Sequence, residues 1–131
     1  IFSPRGDESG WESNNASIVM KVSYGETDVL LTGDASAEIE NYLVRAYGAD
    51  LLAADILKLG HHGSKTSTSE LFLDTVTPQY AVVSAGLDNR YGHPHQDVMQ
   101  RVFARDIQSF HTGTDGTVTF LSDGQTIQIL E

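Results

Sequence analysis

The sequence predicts an α/β layered fold, a mixed β-sheet flanked by helices, folded as one domain. Three observations predict it. Apolar strand-like runs alternate with stretches of helical periodicity, an Asp123-Gly124 turn signal closes the chain on an antiparallel hairpin, and no internal repeat or biased tract breaks the pattern. At 131 residues, 40% of them hydrophobic, the chain is long enough to bury one core, so residues 1–131 are expected to form a single unit.

Residues 1–13, rich in Ser, Gly and charge with Pro4 and Gly6 as breakers, read as loop. A β-branched, apolar run over residues 17–24 and a second over 27–32, separated by Gly25-Glu26, read as a hairpin. Ser36 reads as a helix N-cap whose side chain accepts a backbone N–H, with Glu38 and Glu40 favourable in the first turns. Ile39, Leu43, Ala46 and Tyr47 recur at helical spacing and Gly48 is a stop, which gives a helix over 35–47. A short strand over 55–59, a helix over 69–76 ended by Pro78, and a strand over 80–84 follow. The remaining elements are a helix over 96–104 and strands over 107–111, 117–121 and 126–130.

Composition narrows the chemistry. There is no cysteine, so disulfides and thiolate ligands are excluded and any metal must be held by His, Asp or Glu. The formal net charge of -10 opposes a phosphate backbone, so an anionic substrate would need bound divalent cations to offset the local field. No apolar stretch approaches the roughly 20 residues of a membrane span. The start at Ile1, without an initiator Met, basic n-region or apolar h-region, is that expected of an internal fragment.

Three segments carry candidate site residues. The apolar run Val29-Leu30-Leu31-Thr32 ends abruptly in Gly33-Asp34, and the carboxyl ends of strands are where α/β sheets present ligand groups. Asp34 is therefore either a site carboxylate or the cap of the helix that follows. Ile56-Leu57-Lys58-Leu59-Gly60 repeats the design and runs into His61-His62-Gly63-Ser64. Consecutive side chains on extended chain point to opposite sides, so one histidine is expected to be a ligand and the other a supporting or substrate-contacting group. Imidazole and carboxylate are ordinary ligands for zinc or manganese, and a carboxylate can bridge two metals. The third segment is Asn89-Arg90-Tyr91-Gly92-His93-Pro94-His95-Gln96-Asp97. Its His-x-His-x-Asp pattern is a decoy, because Pro94 biases His93 to extended backbone while His95 to Asp97 are placed to begin a helix, and Val98 stands where a further ligand would be needed. His93 is the expected site residue there.

Taken in order, Asn14-Asn15-Ala16-Ser17-Ile18-Val19, Leu30-Leu31-Thr32-Gly33-Asp34, Leu57-Lys58-Leu59-Gly60-His61-His62-Gly63-Ser64 and Asn89-Arg90-Tyr91-Gly92-His93-Pro94 resemble the successive motifs of the metallo-β-lactamase domain of ComEC-type competence proteins. The resemblance implies the C-terminal half of a four-layer αββα sandwich with two divalent metals, zinc or manganese, at one edge of the sheets. It gives Asp34 as the metal-bridging carboxylate, the His61/His62 pair as the late histidine ligand and His93 as a group at the rim of the cleft. Asp34, His62 and His93 are then the catalytic residues, with Ser64 and Asn14 as supporting or substrate-contact positions. The family's His-x-His-x-Asp-His motif belongs to an N-terminal half. The 13 residues before Asn14 are too few for it, since one βαβ unit takes about 30 or more.

The resemblance further implies phosphodiester hydrolysis, with the metals activating water and stabilising the charge that develops. The parent would be a bacterial DNA-uptake protein whose membrane channel lies on the same polypeptide, with this soluble domain on the outer face of the cytoplasmic membrane and DNA as its partner. The fragment alone is expected to be inert with partial or absent metal, and to self-associate through exposed strand edges. Two competing readings are a stand-alone metallohydrolase of small esters and a metal-free domain that positions DNA.

Overall fold

A computed structural model of the chain describes residues 1–3, 10 and 12–130. Most of the loop expected over residues 1–13 lies outside the described residues; within it, Ser3 forms an isolated antiparallel bridge with Val19. The expected hairpin is present, with β1 (Met20–Tyr24) antiparallel to β2 (Thr27–Leu31). Then come α1 (Ala37–Leu52), β3 (Ile56–Lys58), a 3-10 turn (Gly60–Gly63), α2 (Glu70–Val76) and β4 (Tyr80–Val83). The chain ends with α3 (Gln96–Phe103), β5 (Gln108–His111), the one-turn α4 (Thr112–Asp115), β6 (Thr119–Ser122) and β7 (Ile127–Leu130).

The main sheet has five strands in the order β1-β2-β3-β4-β5, antiparallel between β1 and β2 and parallel thereafter. This is the mixed sheet flanked by helices that the sequence predicts. Each parallel step runs through one helix and moves one strand along in the same direction, so right-handed crossovers set α1, α2 and α3 on one face. That face is the core. Leu30, Leu57, Leu59, Ala81 and Val83 meet Leu43, Phe72, Leu73, Val98 and Val102, all at 0–1% exposure. The opposite face carries the register row Leu31, Lys58 and Val82, each only half-buried.

The β6–β7 hairpin covers the other end of that second face. Phe120 packs its ring 5.5 Å from Tyr80 and 5.7 Å from Phe110. Glu26 N–H donates to Gly124 O at 2.7 Å, and the Thr27 and Ser122 hydroxyls meet at 2.6 Å. A Cβ on Gly25 would stand 2.1 Å from Gly124 O, so only glycine admits this approach.

Two local expectations are corrected. Ser36 is the N-cap of α1 by backbone geometry, but its hydroxyl meets Asn15 Oδ1 at 2.5 Å instead of accepting a helix N–H. Gly48 breaks helical geometry, as a stop residue should, at φ 63 and ψ -175, yet the chain turns once more to Leu52 because Leu52 is fully buried in the core.

Candidate metal and substrate cleft

The three adjacent parallel strands β2, β3 and β4 release their chains at the same edge of the sheet, which gathers the three candidate segments there. After β2, Thr32 Oγ1 donates to Lys58 O at 2.9 Å, and Gly33 takes a left-handed φ of 55 that reverses the chain. Asp34 N–H then donates to Ser17 Oγ at 3.0 Å. Because Ser36 is the cap position, the cap reading of Asp34 is set aside, and its carboxylate is half-exposed at the sheet edge.

After β3 the chain does not stay extended. His61 and His62 both take left-handed backbone, φ 48 and φ 58, within the Gly60–Gly63 turn. The alternation expected of extended chain therefore does not apply to the pair; the two rings diverge because of the turn. Such backbone on non-glycine residues costs on the order of 1–3 kcal/mol each and persists only where surroundings enforce it. Here His61 N–H donates to Gly33 O at 3.0 Å, and His95 N–H donates to Gly63 O at 2.9 Å.

The His62 ring is held at Nδ1 and presents Nε2 to Asp34. Nδ1 lies 2.6 Å from Ser84 O at the end of β4. A carbonyl only accepts, so Nδ1 carries the proton in that bond, and Nε2 is turned toward Asp34 Oδ1 at 3.6 Å. His61 instead turns toward the third segment, with its ring 5.6 Å from that of His93. Its Nδ1 lies 3.5 Å from Thr66 Oγ1, which in turn meets Ser64 Oγ at 3.0 Å. The hydroxyl of Ser64, a residue 5% exposed, thus reaches the His61 ring through Thr66, while its N–H donates to His61 O at 2.9 Å. Asn14 lies in a turn over residues 13–16, where its carbonyl accepts from Ser17 N–H; no hydrogen bond among the described residues links it to the histidines.

The third segment is organised by Asn89. Its Oδ1 accepts from Tyr91 and His93 N–H at 3.2 and 2.9 Å, while its Nδ2 donates to Gly86 and His93 carbonyls at 2.7 and 2.6 Å. Pro94, after a cis peptide bond, packs on Gly63, where a Cβ would come within 2.6 Å of the proline's own. His93 is thereby set between His61 and His95, its ring 5.2 Å from that of His95. Burial lowers its pKa from 6.5, the neighbouring His95, His61 and His62 lower it further, and the Asp34 charge opposes them. Together His62, Ser84, Asn89, Tyr91 and His93 line a cleft of about 230 Å³.

Two residues escaped the sequence reading. Lys58 Nζ donates to Gly33 O at 3.1 Å, and burial pulls its pKa below 10.5 while the Asp34 charge opposes that pull. The signal for it was present: a lone cation in an otherwise apolar strand. Glu40, 1% exposed, accepts from Thr68 and Ser69 N–H, the latter at 2.8 Å. It anchors the loop whose Ser67 hydroxyl donates to Ala35 O at 2.7 Å and whose Thr66 carbonyl accepts from Ala37 N–H at 2.8 Å. Its sequence position reads as an ordinary helix-surface acid, so nothing local distinguishes it.

Asp34 and His62 fit a divalent cation as a pair. Two electron-rich atoms face one another at 3.6 Å, and two ligands of a tetrahedral zinc, each about 2.0–2.1 Å from it, lie roughly 3.3–3.4 Å apart. The Ser84 carbonyl on the far nitrogen is the usual outer partner of a metal-binding imidazole. Among the described residues the fit stops at this pair, since no group of three or more His, Asp or Glu is arranged to hold an ion.

The chain is similar in sequence to known proteins. The family model described as Metallo-beta-lactamase superfamily matches residues 2–86. ComE operon protein 3 of Bacillus subtilis (strain 168) is 38% identical over 120 residues, covering 92% of this chain and 15% of that protein. Competence protein ComA of Neisseria gonorrhoeae is 42% identical over 109 residues, covering 83% of this chain and 16% of the relative. Recombination protein 2 of Haemophilus influenzae is 41% identical over 117 residues, covering 88% of this chain and 14% of the relative. The chain thus spans about one-seventh of the length of these relatives.

Proposed function

The chain belongs to the metallo-β-lactamase superfamily, and from that premise we propose that it supplies Asp34 and His62 to the metal centre of a phosphodiesterase acting on DNA during uptake. The observation that carries the reading is the Asp34–His62 pair, with Nε2 presented by the Ser84 carbonyl behind it. A bound zinc or manganese would supply Lewis acidity, activating water near neutral pH and offsetting charge on the phosphoryl oxygens.

The chain's own groups do the rest. Asp34 and His62 hold the ion, and further donors come from outside the described residues. The Lys58 ammonium beside Asp34 adds a fixed positive charge against a phosphate in a chain whose net charge is -10. His93, whose pKa is lowered by burial and by the neighbouring histidines, offers a hydrogen bond to a non-bridging oxygen at the rim. Ser64 and Thr66 steady His61. Two relatives bear competence or ComE names, which supports the DNA-uptake setting; we further propose that the channel lies in the membrane part of the same parent, with this domain on its outer face. No helix among the described residues is long and apolar enough to cross a membrane.

The test is elemental analysis of the intact protein combined with cleavage of DNA in manganese or zinc. Metal retention and cleavage are expected together, and both should be lost on Asp34→Ala. Cleavage that survives this substitution would remove Asp34 from the mechanism.

A further inference from the structure

We infer that the 89–93 loop is a binding subsite for an unpaired nucleobase, with Tyr91 and Arg90 as its stacking surface. The inference rests on the phosphodiesterase reading and deepens it by assigning where the base next to the scissile phosphate is held.

Four observations carry it. Tyr91 is 61% exposed, although large aromatic rings ordinarily bury their area. The loop beneath it is preorganised, since all four of the Asn89 side-chain bonds close within residues 86–93. Flat groups are packed in succession. The Tyr91 ring lies 5.7 Å from His93 with planes 23° apart, the Arg90 guanidinium stands 4.8 Å from the Tyr91 centroid, and Arg90 donates to the Tyr91 hydroxyl at 2.6 Å.

An incoming base extends such a stack, because every base offers a π-face to a tyrosine ring or a guanidinium plane. Finally, the platform opens on the cleft that Tyr91 shares with His62, so a stacked nucleotide is delivered beside the Asp34–His62 pair.

Charge points the same way. Among the described residues, Lys21 pairs with Asp28 and Arg105 with Glu70 and Asp74, whereas Arg90 has no carboxylate in an ion pair. Arg90 shares that lack of a carboxylate with Lys65, another exposed loop cation, but Arg90 alone of the two stands over an aromatic ring, a combination suited to a nucleotide that brings both a base and a phosphate. A paired duplex would not use the platform, because its bases are stacked on one another and not free to leave.

The experiment measures fluorescence anisotropy of a labelled, cleavage-resistant phosphorothioate oligothymidylate, and of the same backbone without bases, on the intact protein. Tyr91→Ala is expected to weaken the oligothymidylate by roughly five- to a hundred-fold and to leave the abasic strand unchanged, while Tyr91→Phe keeps the wild-type affinity. The melting temperature of each variant is expected to match the wild type, since the ring is exposed. If the wild type cleaves DNA but Tyr91→Ala binds the oligothymidylate as well as before, or weakens both strands alike, the subsite is refuted and the phosphodiesterase reading stands. If the wild type neither binds nor cleaves, both fall.

Discussion

The Nε2 atom of His62 faces Oδ1 of Asp34 at 3.6 Å, with the opposite nitrogen of the ring bound to the Ser84 carbonyl. Two donors sharing one ion behave as a unit. Asp34→Ala and His62→Ala are each expected to lower metal affinity of the intact protein by at least about 100-fold, and the double variant to lose little more than the worse single one. Chelator competition followed by elemental analysis measures this. Additive losses would mean the two side chains do not share an ion.

Lys58 is a half-buried cation in the row between Leu31 and Val82. Removing a charge whose ionised form burial disfavours is not expected to weaken the fold, so Lys58→Met should keep or raise the melting temperature. Cleavage of DNA by the same variant should fall by about tenfold in kcat/KM, through loss of a fixed charge against the phosphate. A melting temperature lowered as far as by a core truncation would show that Lys58 is structural.

Glu40 gives a pH dependence with a definite sign. Burial raises its pKa above 4.5, opposed by the Thr68 and Ser69 N–H groups and the Arg101 charge. Between pH 4.5 and the raised value the unfolded chain has lost this proton and the folded chain retains it, so Glu40's contribution to stability declines as pH rises through that window. Glu40→Gln cannot accept both N–H bonds and should cost about 1–3 kcal/mol. The deficit relative to wild type, read from urea denaturation, should be larger at pH 4.5 than at pH 7. A deficit that grows with pH would contradict the sign.

Gly63, at φ 82 with Pro94 against it, admits no side chain. Gly63→Ala is expected to destabilise by on the order of 1–3 kcal/mol and to free the His93 segment, visible as shifted imidazole resonances of His61 and His93 with the β6–β7 hairpin signals unmoved. Unshifted histidines would show that the proline contact does not seat the loop.

Much of the fold was legible because its signals are local. The β1–β2 and β6–β7 hairpins follow from apolar runs around Gly25-Glu26 and Asp123-Gly124, and α2 from Ser69, whose hydroxyl does accept from Phe72 N–H. The placing of Asp34 and of the His61/His62 pair at one edge was also readable, since each apolar strand ends in its polar group, whereas His93 follows β4 only through the loop that Asn89 organises. What escaped the sequence is set by tertiary contact. The left-handed pair at His61 and His62 is enforced by Gly33 O and by the packing of Pro94 and His95 on Gly63, and Gly33, Pro94 and His95 are all distant in sequence. The Ser36 hydroxyl is taken by Asn15, and the helix outlives Gly48 because the core claims Leu52. Lys58 and Glu40 acquire their character from burial, which no local pattern records.

The β6–β7 hairpin is fastened at Glu26, Thr27 and Tyr80, at the end of the strands opposite to Asp34 and His62. One end of the sheet is thus a foundation and the other a workbench. On the proposed reading, changes in the loops that follow β2, β3 and β4 would reshape what the cleft accepts without disturbing the aromatic cluster that braces the far end.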